Sequence, residues 1–181
     1  LIKGSCKLRR VVVSGIGAVT PLGGNIKTTW ENLIENKSGA NLISKFDTSD
    51  FQTKISCEVP IKDNQNLSEN TFDPNKWFSS KDLRKVDDFI VFGVAAAEMA
   101  LEDSLLKNHN FDPNKVGVGV GSGVGGLPSI EQASLTLHEK GPKRVSPFFI
   151  PGALINLVAG QISIRNNFKG PNLASVTACS S

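Results

Sequence analysis

The sequence predicts an α/β fold built as a layered sheet, because short apolar runs of strand character alternate with stretches of helical periodicity, and small residues join them. Arg9-Arg10-Val11-Val12-Val13 reads as a buried strand running into a glycine-rich connection from Ser14 to Gly23. Ile26, Trp30, Leu33 and Ile34 then fall at i, i+4, i+7 and i+8, which predicts a helix with Asn25 as N-cap and Gly39 just past its C-terminus. From about residue 42 to residue 79 the chain is irregular and rich in Asn, Asp, Ser and Pro, with one short strand expected at 54–59. That stretch reads as an excursion packed on the core.

Ser79-Ser80-Lys81-Asp82 opens the strongest predicted helix, in which Leu83, Val86, Phe89, Ile90, Val94, Ala97 and Leu101 form one apolar stripe widened by alanines. Val116-Gly117-Val118-Gly119-Val120 is the next strand, its glycines leaving one face bare for close backbone approach. Gly121-Ser122-Gly123-Val124-Gly125-Gly126 follows, then a helix over residues 129–138, a basic loop over 140–145, a helix over 154–164 and a last strand over 172–177.

With 181 residues, 39% of them hydrophobic and 20% charged, the chain can bury a substantial core as one large domain or as half of a bigger one. No apolar run reaches the roughly 18 residues of a membrane span, and the first ten residues lack the apolar stretch of a signal peptide. Three cysteines (Cys6, Cys57 and Cys179) without a CxxC pair argue against a disulfide framework or structural zinc and point to a reducing compartment. The net charge of +3 is too small to imply nucleic acid. Its distribution is uneven, however: no Asp or Glu follows Glu139, while Lys140, Lys143, Arg144, Arg165 and Lys169 do. Such a basic end is either a solvated surface or a docking patch for an acidic partner.

The chemistry concentrates at Cys179. Ser175-Val176-Thr177-Ala178-Cys179-Ser180-Ser181 carries a strand into small residues suited to a sharp turn, and a helix N-terminus beyond such a turn would aim free N–H groups at the sulfur and favour the nucleophilic thiolate. The given sequence ends two residues later. Cysteine among small residues is also a common inert core residue, so the motif alone leaves both readings open.

Gly121-x-Gly123-x-x-Gly126 matches a dinucleotide-binding fingerprint, and hydride transfer is therefore a rival reading. No acidic residue for the ribose hydroxyls occurs in the next strand region, Pro128 follows closely, and neither glycine loop has the Gly-Lys-Ser/Thr of a P-loop. His109 lies in a polar loop and His138 closes a helix, so neither neighbours a base or ligand partner. Lys81, Arg84 and Lys85 fall in the first turn of the predicted long helix, where the macrodipole disfavours each cation by about 0.3–1 kcal/mol. A functional demand or a solvated surface would both explain them.

Seven stretches, in order, resemble the β-ketoacyl-acyl carrier protein synthases, the condensing enzymes of the thiolase superfamily, in their synthase II form. They are the segment from Arg9 through Gly23, Phe46-Asp47-Thr48-Ser49, Arg84-Lys85-Val86-Asp87-Asp88-Phe89-Ile90, the glycine run from Gly121 to Gly126, Ser146-Pro147-Phe148-Phe149-Ile150-Pro151, Lys169-Gly170-Pro171-Asn172, and Thr177-Ala178-Cys179-Ser180. The resemblance covers nearly the whole chain and is nearest to the alphaproteobacterial or mitochondrial branch.

It implies the thiolase-like αβαβα layered α/β fold, with residues 1–181 as most of the N-terminal half and the C-terminal half absent. It implies that Cys179 is the acyl-accepting nucleophile whose own N–H forms half of the oxyanion hole. Two catalytic histidines, a supporting lysine and the second oxyanion donor would lie in the C-terminal half, and His109 and His138 match none of them. Lys81, Arg84, Lys85, Lys143 and Arg144 match positions that grip the acidic carrier protein; Val124 would line the acyl pocket, and Phe149 would reach across a homodimer interface into the partner's pocket. No cofactor, metal, nucleic acid or membrane is implied. The compartment would be the bacterial cytoplasm, or a mitochondrial or plastid matrix in a eukaryote. The alternative is a non-catalytic relative kept for dimerisation or carrier binding, but such relatives replace the cysteine. Residues 1–181 alone are expected neither to condense acyl groups nor to show an activated thiol.

Overall fold

A computed structural model describes residues 9–62, 68 and 70–181. Within them, helices α1 (Ile26–Ile34), α2 (Ser80–Leu83), α3 (Asp88–Asp103), α4 (Leu127–Lys140), α5 (Phe149–Ala153) and α6 (Asn156–Asn166) alternate with strands β1 (Ala40–Leu42), β2 (Ile55–Cys57), β3 (Val118–Gly121) and β4 (Asn172–Ser175). β1 and β2 pair antiparallel inside the excursion, while β3 and β4 pair parallel in the register Val118 to Asn172 through Gly121 to Ser175. A parallel pair cannot be closed by a hairpin, and residues 122–171 supply the crossover through α4, α5 and α6.

The core lies between α3 and α6. Ile90, Val94 and Ala95 of α3 meet Val158, Ala159 and Ile162 of α6, and Phe72, Phe78 and Phe168 close its ends. Each valine or isoleucine among them contributes about 1.5–3 kcal/mol when it leaves water, so this seam anchors everything built on it. Of the apolar stripe read from the sequence, Ile90 and Val94 are buried, whereas Leu83, Val86, Phe89, Ala97 and Leu101 pack half-buried against the core and Val91 and Ala95 complete the buried face.

Its beginning, however, is not one helix but two. Ser79 accepts from the Asp82 N–H to cap α2, and Asp87 accepts from the Phe89 N–H to cap α3, so the chain restarts its helix after four residues. Two successive N-cap residues within one apolar periodicity produce this break. Lys81 is therefore the second residue of the short α2, and Arg84 and Lys85 stand in the connecting turn just before the N-cap of α3, instead of in the first turn of one long helix.

Other expectations also change. Arg9 to Val13 forms no strand; Val11, Val12 and Val13 are 92%, 67% and 81% exposed. The chain after them is held on α3 instead: Gly15 and Gly17 lie so close that a Cβ on either would strike the carbonyls of Ala100 and Ala96, and the Ile16 N–H donates to Asp103 at 2.8 Å. α1 forms as read, with Asn25 capping Thr28, but Ile26, Trp30, Leu33 and Ile34 face outward and Thr28 is its buried residue. Its end is set by Asn36 at φ 56°, because asparagine enters the left-handed region at low cost; Gly39 is not used for this. The last helix begins at Asn156 instead of residue 154, because Leu154 is extended and separates α5 from α6.

Much apolar area consequently faces solvent. Leu42, Ile164 and Leu173, for example, are 74%, 83% and 67% exposed. No helix among the described residues is long and apolar enough to cross a membrane.

Candidate active site

Two places in the molecule collect the residues that the sequence singles out. The first is the turn after β4. β3 and β4 run side by side, and the Ser122 N–H extends their ladder to Ser175 O at 3.2 Å before the strands diverge. The chain then turns within one 3₁₀ helix, Ala178–Ser180, that carries Cys179. Ala178 adopts φ 53°, a conformation that costs an alanine about 1–2 kcal/mol. Local bonds hold it there: Ser181 Oγ accepts from the Thr177 N–H at 2.8 Å and donates to Ala178 O at 2.9 Å, and the Ser180 hydroxyl donates to Thr177 O at 2.9 Å. Backbone strain so maintained is a mark of functional turns.

Cys179 is exposed and its thiol is free. Its N–H donates to no backbone acceptor among the described residues. Behind the turn stands Gly121, where a Cβ would lie 2.6 Å from Ser181 C. The glycine fingerprint thus has a packing role. Gly121 admits the cysteine turn, Gly125 takes φ 83° against Ala153, and at Gly126 a Cβ would come within 2.9 Å of Ala153 and 3.1 Å of Asp87. Those glycines are occupied by the protein's own backbone.

The second place is an open groove of about 520 Å³. Arg84 and Lys85 come to it from the turn between α2 and α3, Ser129, Gln132 and Thr136 from α4, and Arg144, Phe148 and Phe149 from the segment that leads into α5. Lys85 donates to Asp82 at 2.6 Å and lies over the Phe148 ring at 5.4 Å. That bond from Lys85, helped by the Ser79 hydroxyl at 2.7 Å, holds the Asp82 carboxyl below the usual aspartate range. The two acids in the groove wall are engaged: Asp87 accepts from Ser129, and Asp88 pairs with Lys45 at 3.1 Å. Among the described residues Lys81, Arg84, Lys143 and Arg144 form no ion pair. The face is therefore effectively basic.

The structure brings Arg84, Lys85, Arg144 and Phe149 to one groove, with Lys81 and Lys143 on the adjoining α2 and 3₁₀ turn. Val124 is not among them. It stands 61% exposed in the loop between β3 and α4, one residue from Gly123, which faces the Ala178 turn. His109 and His138 are exposed; Cys57 is exposed at the end of β2, and Cys6 lies outside the described residues. Sequence reasoning missed Asp87 and Ser129. Asp87 carried a signal, an Asp two residues before the run Phe89-Ile90-Val91, where an N-cap would stand.

The cysteine turn at the end of a parallel strand and the separately built basic groove belong to an α/β unit of thiolase-like fold. The chain belongs to the family described as "Beta-ketoacyl synthase, N-terminal domain", which it matches over residues 8–181. It is 47% identical over 174 residues, 96% of its length, to the 3-oxoacyl-[acyl-carrier-protein] synthase 2 of Rhizobium meliloti, of which it covers 41%. Among solved structures it superposes with a TM-score of 0.64 and 32% identity on a ketosynthase complex described as a type II PKS acyl-carrier protein with its ketosynthase bound to the hexaketide, covering 88% of this chain and 40% of that one. A β-ketoacyl synthase from Burkholderia phymatum shares the fold at a TM-score of 0.68 and 22% identity, covering 94% of this chain and 40% of that one. The chain spans about two fifths of the length of each of these three.

Proposed function

We propose that the protein carrying this chain is a 3-oxoacyl-acyl carrier protein synthase of type II fatty acid synthesis. The observation that carries the reading is the exposed, free Cys179 on a strained turn at the end of β4, with its N–H bound to no backbone acceptor among the described residues. The thiolate of Cys179 attacks the thioester carbonyl of an acyl-carrier protein, the oxyanion forms against that N–H, and collapse expels the carrier thiolate. Malonyl-carrier protein then loses CO2, the resulting enolate carbon attacks the acyl-enzyme carbonyl, and the Cys179 thiolate leaves as the β-ketoacyl product forms.

Lys81, Arg84, Lys85, Lys143 and Arg144 receive the acidic carrier, whose approach they steer electrostatically. Val124 lines the acyl pocket close to the cysteine turn. Phe149 extends the partner's pocket in a homodimer. The naming of the relatives and the carrier-bound ketosynthase complex support this assignment of partner. The protein works in the bacterial cytoplasm, or in an organellar matrix if its source is a eukaryote, and the 1–181 unit supplies the nucleophile and the carrier surface. Incubation with acyl- and malonyl-carrier protein, read by mass spectrometry, should give β-ketoacyl-carrier protein with release of CO2. A protein that binds the carrier and forms no such product would leave only the non-catalytic reading.

A further inference from the structure

An acid lies under the basic groove, and its placement assigns it a role. Asp87 is 8% exposed and belongs to the wall of the groove. Its N–H donates to Gly152 O in α5 at 3.0 Å, and its Oδ2 accepts from both the N–H and the hydroxyl of Ser129 in α4, at 3.0 and 2.7 Å. It also caps α3, immediately after the turn that presents Arg84 and Lys85. Three elements that wall the groove thus meet at one residue.

The contacts around it leave little slack. A Cβ at Gly126 would come within 3.1 Å of the Asp87 carboxylate, and one at Gly152 would strike the carbonyl of Lys85. α4 and α5 are therefore pressed directly against the basic turn. The Lys143 and Arg144 side of the groove is carried by the chain between α4 and α5, so its distance from Arg84 and Lys85 follows from how those helices are tied to Asp87.

We propose that Asp87 is the positioning residue of the docking groove: it fixes the spacing of the two basic walls, so that an acid beneath a cationic patch strengthens the capture of an acidic carrier. The inference rests on the docking role given above to those basic residues. It makes a prediction opposite in sign to simple electrostatics. Removing one negative charge from a basic groove should tighten the binding of an anionic partner. Loosening the walls should weaken it.

The test uses Asp87→Ala, which removes the acceptor together with the charge, and Ser129→Ala in the whole protein, with the carrier affinity measured by calorimetry and the condensation rate measured against carrier concentration. Ser129→Ala removes one hydroxyl bond and leaves the backbone N–H bond and the Asp87 charge in place, so it decides the matter if Asp87→Ala fails to fold. Each variant should weaken carrier binding about tenfold, as loss of a hydrogen bond to a charged group does. KM for the carrier substrate should rise by a similar factor, while kcat falls less. In the double variant the losses should not add, because both act through the same bond. Binding equal to or tighter than the unaltered protein in the folded variants overturns the proposal. Reversal of Lys81, Arg84 and Lys85 to Glu, run alongside, separates the two failures. If that reversal weakens binding and Asp87→Ala and Ser129→Ala do not, only the positioning role falls; if it too has no effect, the docking reading itself falls.

Discussion

The cysteine turn and the basic groove are built in opposite ways. The turn is local: Thr177, Ala178, Ser180 and Ser181 hold Cys179 through bonds spanning four residues or fewer, and Gly121 and Gly123 face it from elsewhere in the chain. The groove is assembled from segments more than 60 residues apart in sequence, from Arg84 to Phe149, and its joints are single buried contacts such as Asp87 with Ser129. A chemical step can be encoded in a contiguous peptide. A surface for another protein has to be folded into being, and it fails through its supports as well as through its charges.

The largest effect that separates the two regions is expected from Cys179→Ala. Acyl-enzyme formation should vanish, and carrier affinity should stay at the unaltered value, because the thiol lies outside the groove. A Cys179→Ala protein that loses carrier binding as well would show that turn and groove are one unit. Next comes reversal of Lys81, Arg84 and Lys85 to Glu, which should weaken carrier binding by on the order of 100-fold at low salt, since like charges then face each other at a cost of several kcal/mol. Thermal stability should change by less than about 1 kcal/mol, because the ion pair lost, Lys85 with Asp82, is a surface one. Affinity unchanged in calorimetry at low ionic strength would return these residues to an ordinary solvated surface.

Val124→Phe should act between the two regions and more mildly. The added ring fills volume that a long acyl chain needs, so long primers should lose about tenfold in rate while short ones are spared. Equal loss for both lengths would place Val124 elsewhere.

The smallest effect concerns Asp82. Its carboxyl is held below the ordinary value of about 3.9 by Lys85 and Ser79. A depressed carboxylate pKa stabilises the folded turn above that ordinary value, and the contribution is lost as pH falls through the lower folded value. Carboxyl chemical shifts should show Asp82 titrating at a lower pH than an unpaired aspartate, and Lys85→Met should move it upward. No movement on losing Lys85 would mean that the turn presenting Arg84 does not depend on this pair.

The sequence made legible what depends on neighbours along the chain. Asn25 caps α1, the stripe through Ile90 and Val94 is the core face of α3, and Val118 and Asn172 mark the paired strands, all as periodicity and capping chemistry require. The break between α2 and α3 was also written there, in Ser79 and Asp87, but one apolar stripe runs through both helices and masks the restart. Arg9 to Val13 carries the apolar content of a central strand, and content cannot say whether a neighbouring strand is present to accept it. The meeting of Arg84, Arg144 and Phe149 depends on the crossover through α4 and α5, which no local pattern specifies.

The central claim is that Cys179 carries the acyl group. Incubating the whole protein with an acyl-carrier protein in the absence of the malonyl form, then digesting and mapping the peptides by mass, measures this directly. One acyl adduct is expected, on the peptide bearing Cys179, with Cys57 and Cys6 unmodified. An adduct on either of those two cysteines, or none at Cys179 while carrier thiol is released, would contradict it.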